Sequence, residues 1–432
     1  MATEAKRLIF RRTNCSCAMP GVWRALAYVR GAAVVFHSPR ACAHIARTLE
    51  TGAHYRSMAR GAAEERGAVP LFVSGIAEDE AVFGGEELLR RCLDHVVMNA
   101  HPEAIFIVSS CVAGVIGDDA ERIAEEAAEE YGIPVIALKS HGFLDGEYFG
   151  GYLETMRLLA ENFMEPSAEK KQGRAVLLGD CGGASGEYVR EVRRLLAALG
   201  VRDVLQFPSY LSLAELKAVP AAEFSVLLGR EGDAAHEREV RDFARLLTER
   251  FGIVCAGDIY PVGMGETLRW IARIGALTGR EEAAEELIAQ ERTAFDAVLA
   301  AGRDALAGKR VVLAVGRAVR YFKPEPLCRL LEELGVVLTG VVILDAYLPD
   351  DRAEMERRVR EASSAPVIAE RDAEPFYAAA DFVLTTHELA NPRLRQIFLP
   401  MLPVAGRRGE ELLIDCMRRC AARRREGGVL YA

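Results

Sequence analysis

The stretch Val35-Phe36-His37-Ser38-Pro39-Arg40-Ala41-Cys42 joins the end of an apolar run to a cysteine. A second apolar run, 104–108, leads into Ser109-Ser110-Cys111 in the same way. Such runs are typical of strands buried in a parallel sheet. Ligands of these sheets bind beyond the carboxyl ends of the strands, so we expect Cys42 and Cys111 at one sheet edge. Cys17 lies ahead of the first strand and adds a third thiol that can reach this edge.

Strand-like and helix-like segments alternate along the chain, which predicts an α/β fold with doubly wound, mostly parallel sheets. The polar segment 166–173 contains Pro and Gly and is the first predicted boundary. The periodicity predicts three Rossmann-like domains, with a helical bridge before the third domain and a basic helix at its carboxyl end. The predicted bounds are 1–165, 174–280, 281–308 for the bridge, and 309–432.

The composition restricts the classes of partner. The chain has 432 residues, of which 54 are basic and 63 acidic, for a formal net charge of −9. This balance argues against a nucleic-acid partner. Since the sequence has no long uncharged apolar run, we expect no membrane span, and its first residues lack the apolar region of a signal peptide. The expected location is a reducing cytoplasm, where clustered cysteines more often indicate metal or redox chemistry.

The cysteines Cys17, Cys42 and Cys111 lie too far apart in the sequence for a local zinc knuckle. An iron–sulfur cubane usually needs four thiolates, so three from one chain predict a fourth ligand from a partner subunit. Free cysteines are also often small buried hydrophobic residues. The residues by themselves therefore leave a second interpretation open, a three-domain nucleotide- or sugar-binding protein with incidental cysteines.

Four motifs resemble those of the nitrogenase component 1 family. They are His37–Cys42, Cys111 with the later Gly117-Asp118-Asp119, Glu78–Gly85, and Cys17-Ala18-Met19-Pro20-Gly21. The first two resemble the family's cysteine motifs, and the other two are similar to β-type stretches of the family. The likeness is close over roughly 15–150 and follows the domain layout beyond that. Ser38, Ala41 and Ser110 depart from the family pattern, which indicates a divergent branch.

The resemblance implies that Cys17, Cys42 and Cys111 bind an iron–sulfur cluster at a subunit interface. This cluster would be a P-cluster-like 8Fe–7S group or a 4Fe–4S cubane, and the partner subunit could hold a complex metallocofactor. Cys15 lies two residues before Cys17 and is an alternative ligand. His141 is the candidate for contact with a substrate, and His387 is the candidate for the histidine with which the family's α subunit ligates its complex cofactor.

The resemblance also implies a function, that of a β-like subunit of a nitrogenase-like two-component reductase. The partners would be a homologous α-like subunit in a heterotetramer, or a second copy in a homodimer. A separate ATP-hydrolysing iron protein with a 4Fe–4S cluster would supply low-potential electrons, which pass through the cluster to a substrate or cofactor site. The alternative within the family is a non-catalytic scaffold on which a nitrogenase-type metallocofactor is assembled.

Overall fold

Three β-sheets with helices between their strands make up the fold, and every strand pair in the described residues is parallel. The structure is a computed structural model. It describes residues 17–48, 68–138, 140, 142–144, 147–167, 169–181, 186–229, 235–316, 322–344, 349–391, 393–400, 403–423 and 427–431. The parallel sheets confirm the predicted α/β class.

The first sheet lies in the amino-terminal part of the chain. Its strands are β1 (Ala32–His37), β2 (Leu71–Val73), β3 (Ala104–Ser109) and β4 (Val135–Leu138), in the order β2-β1-β3-β4. Its helices are α1 (Ala18–Leu26), α2 (Glu78–Phe83), α3 (Glu86–Ala100), α4 (Cys111–Ile116), α5 (Ala120–Tyr131) and α6 (Tyr148–Phe163). Residues 40–48, which follow β1, are also helical.

The centre of this sheet is the pair β1 and β3. The two strands run in register, from Ala32 opposite Ala104 to His37 opposite Ser109. Every residue in both strands is buried. Because helices cover both faces of such a sheet, its central strands are apolar on both sides, and this is why the two runs could be predicted from the sequence.

The second sheet repeats the strand order of the first. Its strands are β5 (Lys171–Leu178), β6 (Asp203–Phe207), β7 (Ala222–Leu227) and β8 (Val254–Cys255), in the order β6-β5-β7-β8. The helices between them are α7 (Glu187–Ala198), α8 (Leu213–Lys217) and α9 (Ala235–Phe251). Ser212 and Glu215 form a capping box at the start of α8, in which each side chain accepts the other's backbone N–H.

The third sheet has six strands. They are β9 (Arg310–Val315), β10 (Val337–Ile343), β11 (Val367–Ala369), β12 (Phe382–Thr385), β13 (Arg395–Phe398) and β14 (Gly428–Tyr431). The helices are α12 (Pro324–Glu333), α13 (Pro349–Ala362), α14 (Glu374–Ala379) and α15 (Gly406–Ala421). The order β11-β10-β9-β12-β13-β14 is that of dinucleotide-binding Rossmann sheets, as predicted for a Rossmann-like domain.

Two further helices precede the third sheet, α10 (Met264–Thr278) and α11 (Glu281–Leu306). The buried residues of α11 recur every three or four positions and form one stripe along the helix. The helix is therefore amphipathic, and the role of this segment as a bridge stays a prediction. In the part of the chain that the structure describes, no helix is both long enough and apolar enough to cross a membrane.

The described residues fall into two compact units. The first lies within Arg12–Gly186 and Val201–Asp258 and contains the first two sheets. The second lies within Glu187–Gly200 and Ile259–Ala432 and contains the third sheet. The bounds of the three predicted domains stay a prediction, since this division follows contacts and not sheets.

A buried charge network explains why α7 belongs to the second unit. Glu191 is buried and accepts two hydrogen bonds from Arg194, each of 2.7 Å. Arg194 also donates to Glu291 of α11 at 2.7 Å, and Glu291 accepts from Arg407 of α15 at 3.2 Å. Burial of an ion costs several kcal/mol unless partners of opposite charge accompany it. The partners of α7 in other helices lie on α11 and α15, since Arg408 of α15 also pairs with Glu191 at 3.7 Å.

Several elements differ from the sequence prediction. Cys111, which follows an apolar run in the sequence, is the first residue of the helix α4. Strands β11, β13 and β14 have only three or four residues each, too few to show a period in the sequence.

The carboxyl group of Glu410 in α15 is buried near the start of α10. Burial, together with the smaller effect of the neighbouring carboxylate of Glu333, raises its pKa to about 8. The backbone N–H of Met264, which donates to Glu410, and the guanidinium of Arg329 both lower it. At neutral pH this carboxyl group therefore holds a proton in the folded state.

The substitution Glu410→Gln should remove a pH dependence of stability. In the unfolded chain this group titrates near 4.5, and in the folded chain near 8. The wild-type free energy of unfolding should therefore fall as pH rises between these values, by at most about 1.4 kcal/mol per pH unit, relative to the variant. Urea unfolding at pH 5 to 9 measures this. The control is Glu285→Gln, an exposed carboxylate on α11; an equal change in both variants would contradict the prediction.

Candidate metal centre

Cys42 and Cys111 follow the two central strands of the first sheet. The chain continues from β1 to β2 on one side and from β3 to β4 on the other, so the crevice between the ends of β1 and β3 is the topological switch point. Cys42 lies in helical residues 40–48 beyond β1, and Cys111 begins α4 beyond β3. Both are partly exposed. The fold thus places both cysteines where open α/β sheets bind ligands.

Cys17 reaches the same edge from the amino-terminal side. It occupies the N-cap position of α1 and forms an isolated antiparallel bridge with Glu147. The next backbone N–H, of Ala18, donates to the carbonyl oxygen of Gly142 at 3.3 Å. Gly142 also lies against Cys111, because a Cβ atom built on it would be 3.7 Å from the Cys111 Sγ. Gly142 therefore lies between the Cys17 segment and Cys111 and contacts both.

Two glycines set the position of α1. A Cβ atom on Gly21 would lie 1.8 Å from the carbonyl oxygen of Tyr148, and one on Gly151 would lie 2.3 Å from that of Ala18. Only glycine permits so close an approach of α1 to α6. Arg24 also anchors α1, through hydrogen bonds of 3.1 and 2.7 Å to the Asp180 carboxylate beyond β5. Cys17 is thereby held by a helix with little freedom to shift.

The thiols lie close enough to affect one another's ionisation. Burial raises the pKa of the Cys17 thiol, a hydrogen bond from the Met19 backbone lowers it, and the charge on Cys111 raises it. Burial also raises the pKa of Cys42, as do the charges on Cys17 and Cys111, while a hydrogen bond from Ser38 lowers it. The fold thus brings the three predicted ligands close enough together for charge on one sulfur to disfavour the thiolate forms of Cys17 and Cys42, and a positively charged group bound between the sulfurs would favour these forms.

This set of donors fits an iron–sulfur group better than a single ion. No cluster of three or more His, Cys, Asp or Glu side chains in the described ranges is arranged to hold one metal ion. The cysteines of an iron–sulfur cluster bind different iron atoms and can stand farther apart. Thiolates are the usual ligands of such clusters, and these three would be the residues that hold it.

A buried polar network lies directly behind the thiols. The imidazole of His37 contacts Ser74 Oγ through Nδ1 at 3.0 Å and Asp118 Oδ2 through Nε2 at 2.9 Å. The Asp118 carboxylate also accepts the N–H of Gly85 at 2.9 Å. Burial lowers the pKa of His37 below 6.5, although the Asp118 carboxylate raises it. His37 is therefore neutral at neutral pH.

Exposed apolar side chains surround the site. Each follows the carboxyl end of a strand of the first sheet, and they are Ile45, Val82, Phe83, Val115, Phe143 and Leu144. Phe83 is 86% exposed, and no residue of its helix α2 is buried. Apolar side chains clustered at one edge are typical of a protein–protein interface.

Of the three other candidate site residues, the structure describes only His387. Cys15 and His141 lie outside the described residues. His387 is exposed beyond β12 in the second compact unit, and its backbone contacts the side chain of Thr385. Its predicted role as a cofactor ligand stays a prediction. Nothing in the sequence indicates that His37 and Asp118 pair, although both belong to the quoted motifs.

Comparison with known proteins identifies the family. Residues 17–408 match the family described as nitrogenase component 1 type oxidoreductase. The chain belongs to this family. The resemblance drawn from the cysteine motifs is thereby confirmed, and the β-type character of Glu78–Gly85 stays a prediction.

Curated relatives of this nitrogenase component 1 chain have two kinds of name. The nitrogenase iron-molybdenum cofactor biosynthesis protein NifE of Clostridium pasteurianum is 28% identical over 61% of this chain and 56% of its own length. The nitrogenase molybdenum-iron protein alpha chain of Bradyrhizobium sp. (strain ANU 289) is 30% identical over 62% and 53%. This chain thus spans little more than half the length of these relatives.

A solved structure supports the fold of this component 1 chain. The structure titled "Nitrogenase Cp1 at pH 6.5" superposes with a TM-score of 0.65 and covers 94% of this chain and 88% of its own. The two sequences are 17% identical. At this identity the match establishes the three-sheet fold alone.

The substitution Gly85→Ala should destabilise the network behind the thiols. The new Cβ atom would lie 2.8 Å from Asp118 Oδ2 and 3.0 Å from His37 Cε1, and both of these side chains are buried. Such overpacking costs about 1 to 3 kcal/mol. Gly150→Ala in α6 is the control, since its Cβ would meet no atom within 4 Å. Urea unfolding measures both, and an equal loss of stability in the two variants would exclude the steric cause.

Proposed function

We propose that this chain is a subunit of a nitrogenase-like two-component reductase that holds an iron–sulfur cluster through Cys17, Cys42 and Cys111. The observation that carries the proposal is the convergence of these three partly exposed thiols beside the switch point of the first sheet. Membership of the family supports it. Either an 8Fe–7S or a 4Fe–4S group is compatible with three ligands from one chain.

The residues around the thiols suit this role. Burial disfavours the free thiolates of Cys17 and Cys42, so binding of iron must accompany loss of their protons. The Met19 backbone and the Ser38 hydroxyl hydrogen-bond to the sulfurs and favour the ionised form. When bound, an iron–sulfur cluster accepts and releases single electrons. Burial and hydrogen bonds to the sulfurs are the means by which a protein sets the potential of such a group.

A partner subunit completes the proposed site. Three thiols leave one ligand position of a cubane to another chain, and the apolar side chains at the same edge, including Val82, Phe83 and Val115, are exposed. The proposed partner is a homologous α-like subunit, in a heterotetramer, or a second copy of this chain, in a homodimer. An α-like partner would also be the place for a complex metallocofactor.

The proposed electron donor is an ATP-hydrolysing iron protein with a 4Fe–4S cluster of its own. The electrons would pass through the thiol-bound group to a substrate or cofactor site. The proposed location is the cytoplasm. Nine cysteines in the described ranges are free thiols, as expected in a reducing compartment.

A second candidate function is a non-catalytic scaffold for assembly of a nitrogenase-type metallocofactor. The observation that favours it is the name of several relatives, among them NifE of Clostridium pasteurianum and of Klebsiella pneumoniae, which are iron-molybdenum cofactor biosynthesis proteins. Both functions use the same three thiols. They differ in whether the chain takes part in turnover.

Serine substitutions should test the thiol ligands. Cys42→Ser and Cys111→Ser should each abolish binding of iron and acid-labile sulfide in anaerobically purified protein, because each removes one ligand. The control is Cys92→Ser on α3, where burial alone raises the thiol pKa to about 11; this variant should keep the wild-type iron content. Iron analysis and electron paramagnetic resonance measure the outcome. A wild-type protein that holds no iron, even after cluster reconstitution, would refute the proposed function.

Assays of the wild-type protein can distinguish the reductase function from the scaffold function. A reductase should support ATP hydrolysis coupled to reduction of an added substrate when mixed with a nitrogenase-type iron protein. A scaffold should show no such reduction, and should instead activate a cofactor-free nitrogenase by transfer of a metallocofactor. Substrate reduction that depends on Cys42 would decide for the reductase.

A further inference from the structure

His37 contacts both ends of the segment 110–118, which contains Cys111 and is called here the Cys111 segment. Its backbone carbonyl accepts the N–H of Ser110, immediately before Cys111, at 3.1 Å. Its imidazole contacts Asp118, which follows α4 and closes the segment, at 2.9 Å. His37 is also the last residue of β1, and the helical residues that carry Cys42 begin three positions later. One residue thus connects the backbones that carry two of the three thiols.

The hydrogen-bond partners assign one tautomer to His37. The Ser74 hydroxyl oxygen accepts the backbone N–H of Ser38 at 3.2 Å, so its own proton is available to His37 Nδ1 at 3.0 Å. The carboxylate of Asp118 can only accept, so Nε2 carries the imidazole proton and donates it. The ring is then a neutral link with one donor and one acceptor, and both have partners.

The network has little room to rearrange. The side chain of His37 is wholly buried and that of Asp118 is 3% exposed. The backbone nitrogen of Gly85 lies 2.9 and 3.1 Å from the two carboxylate oxygens of Asp118. Because Gly85 has no side chain, its backbone can approach the carboxylate this closely. Without the Nε2 donor, a buried carboxylate would lose a charge-assisted hydrogen bond, which costs more than the loss of a neutral one. The Cys111 segment would then relax.

We propose that the His37 imidazole is a positioning group that fixes the separation of the Cys42 and Cys111 thiols by donating from Nε2 to Asp118. The identity of the group that the thiols bind rests on the proposed function. The positioning of the thiols does not, and it can be measured in iron-free protein.

Paired substitutions isolate the Nε2 donor. In His37→Gln the amide nitrogen reaches about the place of Nε2 and can still donate to Asp118. In His37→Asn the shorter amide reaches about the place of Nδ1 and cannot. Asp118→Asn is a second test. In one orientation of the asparagine amide its NH2 group faces the Nε2–H of His37, and the hydrogen bond is lost. In the other orientation the neutral amide oxygen accepts this hydrogen bond more weakly than the carboxylate does. The control for this variant is Asp119→Asn, which makes the same charge change at an exposed residue that caps α5. Circular dichroism and urea unfolding verify that each variant folds.

The separation of the thiols is read from chemical cross-linking of iron-free protein with dibromobimane, followed by mass spectrometry of the Cys42–Cys111 product. In His37→Asn and Asp118→Asn the initial rate should fall about tenfold, since small misplacements of reacting groups have large effects on rate. His37→Gln and Asp119→Asn should stay close to the wild-type rate. Equal rates in His37→Asn and His37→Gln, or in Asp118→Asn and Asp119→Asn, would overturn the inference.

A second readout connects the positioning to the proposed cluster. Groups behind metal ligands commonly contribute about 10-fold to 100-fold in metal affinity, so His37→Asn should release iron at a correspondingly lower chelator concentration, and His37→Gln should not. A changed electron paramagnetic resonance spectrum in His37→Asn alone would further support a positioning role over a general loss of stability. If the wild-type protein binds no iron, the proposed function is wrong, and the cross-linking rates still decide the role of His37.

Discussion

The parallel pairing of β1 with β3 is the constraint on which the site depends. Adjacent strands lie about 4.8 Å apart, so two segments far apart in the chain leave the sheet side by side. Since side chains alternate between the two faces of a strand, a slip of one residue would turn His37 away from Asp118. The complete burial of both strands fixes the register against such a slip. The geometry of the thiols is thus a product of the hydrophobic core beneath them.

The sequence was most informative where burial makes a pattern continuous. The runs that became β1 and β3 were predictable because both faces of these strands are covered, and the three cysteines were predictable because they lie beside such runs. The short strands β13 and β14 were not, since they owe their existence to neighbours in the sheet and not to a local period. The helix α4 was not predicted either. Its six residues include Gly114 and three β-branched residues, which have low helix propensity.

The interior of the site was only partly accessible to sequence reasoning. His37 and Asp118 each stood in a quoted motif, but their contact joins positions that only the folded sheet brings together. The electrostatic coupling of Cys17 with Cys42 and Cys111 likewise depends on the close contact of α1 with α6.

The position of α7 has a consequence for how the chain can be divided and made. Glu191 and Arg194 of α7 have their partners on α15 and α11, whereas the strands on either side of α7 belong to the other compact unit. A single cut therefore cannot separate the two units. A fragment that ends at Gly186 lacks three of the four strands of the second sheet, and one that ends at Asp258 keeps α7 without its partners on α11 and α15. During synthesis the first unit can be completed only after α7 has emerged, and α7 must then wait for partners that have yet to be translated.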